Sequence, residues 1–166
     1  MTLGLSIDAF TQLHVVISLV GIAVGLIVVI GMVLRHRMAG WTGVFLAATV
    51  ATSVTGFMFP SNTFGPAHVV GVISLIVLVP TLLGLYVFRL AGAWRWIYVS
   101  GAVLALYLNV FVAVVQAFQK IFVLAALAPN QSEPPFQIAQ LVVLALFGSI
   151  GGAAVWRFRP PLPARA

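Results

Sequence analysis

Residues 13–37 read LHVVISLVGIAVGLIVVIGMVLRHR. From Leu13 to Leu34 there is no acid, lysine or arginine; then Arg35, His36 and Arg37 arrive together. An apolar helix rising 1.5 Å per residue needs about 20 residues to cross the ~30 Å of hydrocarbon in a bilayer. This segment has the length and ends in cations. Four further apolar runs follow, at 42–59, 67–88, 96–118 and 136–156. We therefore expect an all-α polytopic membrane bundle of five transmembrane helices, one domain over residues 1–166.

The cations order the runs. Arg35, Arg37, Arg89, Arg95, Arg157, Arg159 and Arg165 lie between runs one and two, between runs three and four, and after run five; only Lys120 lies on the other side. Cytoplasmic segments carry the excess of Lys and Arg, so the N-terminus is expected outside and the C-terminus inside. Trp41, Trp94, Trp96 and Trp156 fall at the expected inner interface, as an aromatic belt would. Phe10, Phe57, Phe59, Phe64, Phe118, Phe122 and Phe136 collect at the outer one.

Composition removes several classes. Hydrophobic residues make up 63% of the chain and charged residues 6%, against about 25% charged in soluble domains. The net charge of +6 does not argue for nucleic acid, because the arginines stand beside span ends, where anionic lipid headgroups meet them. Lipid bilayer is the expected partner, with a homo-oligomer or a larger membrane complex beyond it. Cysteine is absent, which removes disulfides, thiolate metal sites and thiol chemistry. The first eight residues lack the basic region of a cleaved signal peptide, so run one reads as a retained span.

Local signals refine the elements. Ser6 or Asp8 suits the cap of helix 1. The segment 60–66 is a breaker-rich outer turn, with Pro66 fit for the first position of helix 3 and Thr63 or Gly65 near its cap. Pro80 should kink helix 3, with Thr81 satisfying the freed carbonyl. Apolar character runs from Trp94 to Ala128, about 50 Å as one helix. Either helix 4 projects outside or the chain bends; a bend near Lys120, laying 121–128 along the outer surface, is the favoured expectation.

Almost every chemically capable group belongs to the outer end. His14 is early in helix 1 and His68 in the first turn of helix 3; Asp8 and Glu133 are the two acids. Asn109, Gln116 and Lys120, spaced seven and four apart, share a face of helix 4, and Gln137 and Gln140 share one of helix 5. Polar groups in lipid are costly and turn inward or toward water, so these five read as one polar pocket. Two imidazoles on separate helices suit axial ligation of a haem iron. With Asp8 or Glu133 as oxygen ligand or orienting group, they also suit a divalent metal. Ser18, Gly21 and Gly25 beside His14, with Gly71 and Ser74 beyond His68, offer relief for a flat macrocycle. The plain alternative is that interface histidines cap or hydrogen-bond, and that Gly21, Gly25, Gly148, Gly151 and Gly152 serve close helix packing. Thr49, Thr52, Ser53 and Thr55 read chiefly as hydroxyls bonding back to helix 2 or gluing neighbours. No hydrolase, P-loop or dinucleotide signature occurs.

The strings Trp94-Arg95-Trp96-Ile97-Tyr98, Ala105-Leu106-Tyr107-Leu108-Asn109-Val110-Phe111 and Gln131-Ser132-Glu133-Pro134-Pro135-Phe136 resemble a family of small bacterial multi-span inner-membrane proteins with no established activity. The resemblance implies a bacterial inner membrane and carries no catalytic role. The expected function is redox-associated: a periplasm-facing polar pocket holding haem b, a quinone or a divalent metal through His14 and His68. The alternatives are a non-catalytic accessory or assembly subunit, and a small solute or proton transporter.

Overall fold

Each apolar run becomes a helix, because in lipid every backbone N–H and C=O must find its partner within the segment. A computed structural model describes residues 4–60 and 64–159. Its helices are α1 (Ile7–Val33), α2 (Ala39–Phe57), α3 (Pro66–Leu82), α4 (Trp94–Lys120), α5 (Phe122–Leu127) and α6 (Pro134–Arg157). Five are long and apolar enough to cross a membrane; α5 is not. The chain is a multi-pass membrane protein of helical architecture. Ser61, Asn62, Thr63 and Arg165, all used in the sequence argument, lie outside the described residues.

Successive long helices run antiparallel, which gives the bundle an arginine end and a histidine end. α4 is the hub and packs against α1, α2, α3 and α6; α2 lies between α1 and α3. The arginine half holds the dense core. There Val28, Val29 and Met32 of α1, Phe45 and Leu46 of α2, and Val99, Ala102 and Leu106 of α4 are at most 2% exposed. Lipid tails are as apolar as these side chains, so van der Waals packing holds this core together, and close approach matters. Glycine supplies it. A Cβ on Gly25 would stand 2.6 Å from Leu106 and 2.7 Å from Phe45, and one on Gly21 would touch Ala48 at 3.4 Å.

The helix ends follow local chemistry. Ser6 caps α1, its Oγ accepting from the Ala9 N–H at 3.2 Å, with Asp8 in the first turn. α1 closes with Arg35 in the left-handed region (φ 66°), where the His36 N–H reaches the Gly31 carbonyl at 2.8 Å. Gly65 is the N-cap of α3 and Pro66 its first residue. Around Pro80 the structure differs from expectation. Thr81 donates to the Val77 carbonyl at 2.7 Å rather than to the one Pro80 leaves free. The helix stays α to Leu82 and then widens into a π turn over Leu83–Val87. Such single π turns are one way a helix absorbs a local mismatch. α4 ends at Lys120 and Ile121 is extended (φ −89°, ψ 114°), so the chain bends where the sequence placed the bend.

Candidate functional site at the histidine end

Hydroxyls of α2 organise this end. The Thr55 hydroxyl gives its proton to the Ala51 carbonyl at 2.7 Å. Its oxygen also lies 2.8 Å from His14 Nδ1. With the hydroxyl proton on the Ala51 carbonyl, Nδ1 is the donor and Nε2 the accepting nitrogen. One turn deeper, Ser18 donates to the His14 carbonyl at 2.8 Å and lies 3.3 Å from the Thr52 hydroxyl. Phe59 meets the His14 ring edge-on at 5.2 Å and Phe10 packs on Phe59 at 4.9 Å. A Cβ on Gly56 would stand at ordinary contact distance from His14 Cε1, 3.9 Å, so the ring lies against this turn of α2.

His68 is held differently. Its Nδ1 accepts from the Gly65 N–H at 3.2 Å, a side chain in the first turn of α3 reaching back to the cap residue. Phe57 and Phe64 flank it at 5.8 and 5.3 Å. Thr55, which bonds His14, and Phe57, which touches His68, stand two residues apart on α2, about 200° around the helix. The C-terminal turns of α2 thus separate the two imidazoles. The relief expected for a macrocycle is filled: Gly21 by Ala48, Gly25 by Phe45 and Leu106, Gly71 by Phe57 at 2.9 Å. Helix packing has claimed those small residues.

The metal set does not gather either. Among the described residues no three His, Asp or Glu side chains come together as ligands, so His14, His68, Asp8 and Glu133 form no cluster. Glu133 turns onto its own loop. Its Oε1 accepts from the Asn130 N–H at 3.1 Å and Asn130 Nδ2 at 3.0 Å, and its Oε2 from the Ser132 N–H at 3.0 Å. Slight desolvation works the other way, but the donors from Asn130 and Ser132 outweigh it and hold the carboxyl below the usual glutamate range.

Of the five residues expected as one polar pocket, Asn109, Gln137 and Gln140 take separate hydrogen-bond partners. Buried Asn109 points Nδ2 at the Thr49 hydroxyl (3.4 Å), whose own proton goes to the Phe45 carbonyl. Gln140 donates to the Phe111 carbonyl at 3.2 Å, about 200° around α4 from Asn109. Its Oε1 is buried without a partner. Gln137 is exposed and donates to the Ser132 carbonyl at 2.7 Å. Gln116 is half-buried and Lys120 is exposed at the end of α4. Asn109 thus bonds toward α2, while Gln140 of α6 bonds to another side of α4. Phe45 and Leu46, at 0% and 2% exposure, also interrupt the hydroxyls of α2 between Thr42 and Thr49.

Sequence reasoning missed two features of the arginine half. Arg95 Nη1 donates to the carbonyls of Val155 (2.9 Å) and Phe158 (2.6 Å), closing the C-terminus of α6. A cation serving a helix end 60 residues away leaves no local signature. The second feature is a groove of about 670 Å³ between α4 and α6. Comparison of the chain with protein-family models, with curated proteins and with solved structures finds no match.

Proposed function

We propose that this is a redox-associated protein of the bacterial inner membrane, N-terminus outside, whose His14 holds a quinol. The carrying observation is the Thr55–His14 hydrogen bond. With Nδ1 donating to Thr55, Nε2 is the acceptor that a quinol hydroxyl needs in order to donate. Phe59, edge-on to the His14 ring at 5.2 Å, supplies an aromatic neighbour for that ring. A quinol needs one such acceptor and an apolar surround, whereas bis-histidine haem needs two axial imidazoles on one iron and a metal needs a gathered ligand set. The chain's part is to bind and orient the ring, and Ser18 and Thr52 hold the turn that carries His14.

The test is titration of the full-length protein, in lipid nanodiscs, with a short-tailed hydroquinone. We expect saturable binding. His14→Gln should weaken it about tenfold, the worth of one buried hydrogen bond. Thr55→Val, which keeps shape and releases the ring, should weaken it less. Binding by His14→Gln at wild-type strength would overturn the reading.

A second reading, an accessory or assembly subunit, is favoured by α6. This helix is the least covered of the five, and Ile138, Leu141 and Val142 are about 60% exposed along one side. Larger membrane subunits that co-purify with wild type but not with Leu141→Trp would support it.

A further inference from the structure

The groove between α4 and α6 is built from an asymmetry among three glycines. Gly151 faces α4, where a Cβ would meet Val103 at 3.1 Å. Gly148 and Gly152, four apart, face open space, with nothing within 4 Å of a Cβ on either. The two helices therefore touch through Gly151 and part beside it. Tyr107 and Phe147 line the deep end, and Trp156, Arg95 and Arg159 form the mouth. From Leu144 to Trp156 the groove follows twelve residues of helix, about 18 Å. That is close to one leaflet's half of the ~30 Å hydrocarbon core.

We propose that this groove binds one anionic phospholipid from the leaflet at the arginine end. An acyl chain lies over Gly148 and Gly152, and the phosphate sits at Arg159. The apolar walls match a tail, the length matches one leaflet, and the charge at the mouth matches a phosphate. Arg95 is pinned by the carbonyls of Val155 and Phe158, so it contributes a fixed charge, while exposed Arg159 is the cation able to adapt. A second copy fits poorly. Parallel pairing of α6 across Gly148 and Gly152 would set Arg157 and Arg159 against the same residues of the other chain. The inference does not depend on the reading of His14.

Native mass spectrometry of the delipidated full-length protein tests it, with phosphatidylglycerol and phosphatidylcholine as probes. Wild type should retain one phosphatidylglycerol per chain in preference to phosphatidylcholine. Arg159→Gln should weaken phosphatidylglycerol about fivefold and leave phosphatidylcholine unchanged, since one cation near an anionic headgroup is worth about that factor. Gly148→Leu, which fills the groove, should weaken both. Should that variant fail to fold, exposed Arg159→Gln still decides the matter. Equal retention of the two lipids, no effect of Arg159→Gln, or a dimer that phosphatidylglycerol does not disperse would overturn the proposal.

Discussion

At the scale of the residue, glycine and histidine each take roles set by what faces them. Gly25 lets α1 press onto Phe45 and Leu106, so Gly25→Ala should destabilise the protein by about 1–3 kcal/mol through overpacking. Gly40 opens onto empty space, so Gly40→Ala should change stability by no more than about 0.5 kcal/mol. Thermal unfolding in detergent, followed by circular dichroism, checks both. The spacing of Gly21 and Gly25 announced close packing in the sequence. That Gly148 and Gly152 stay open was not legible, because spacing names a face and not what covers it. The histidines carry the same lesson. Their depth could be read from position along the runs, but their tautomers depend on Thr55, 41 residues from His14, and on the Gly65 N–H. The two rings take different partners, His14 a hydroxyl of α2 and His68 the N–H of its own helix cap.

At the scale of the element, helix existence was legible and helix irregularity only partly so. The length of the run after Trp94 left a projecting helix or a bend, and Ile121 supplies the bend. Pro80 signalled disturbance in α3, but the backbone expresses it three residues later, as the π turn at Leu83–Val87. α5 leaves Phe122 87% and Val123 66% exposed, an apolar surface suited to the headgroup boundary. Phe122→Trp in liposomes should therefore give blue-shifted emission, quenched more by lipids brominated near the headgroup than near the chain end. Emission as red as that of tryptophan in water would place α5 outside the bilayer. The last turn of α6 depends on Arg95 from α4. Arg95→Leu should fray it, seen as faster amide exchange over residues 155–158, because the terminal carbonyls lose a charged donor.

At the scale of the whole molecule, the distribution of charge and the distribution of packing run in parallel. The half with the arginines holds the dense core. The half with His14, His68 and the amides is joined by hydroxyl bonds and aromatic pairs. Fold class and helix order were readable because a bilayer admits few solutions and punishes every unpaired backbone group. The site was readable only as an inventory, since convergence depends on which helices intervene: Asn109 bonds toward α2, while Gln140 of α6 bonds to another side of α4. The reading as a whole rests on the arginines marking the cytosol, and the absence of native cysteine makes this directly testable. Single cysteines at exposed Ser132 and Gly40 would be probed in intact cells with a membrane-impermeant maleimide. Ser132→Cys should label at once, and Gly40→Cys only after the membrane is opened. Labelling of Gly40→Cys in intact cells, or of both positions from one side, would contradict the account.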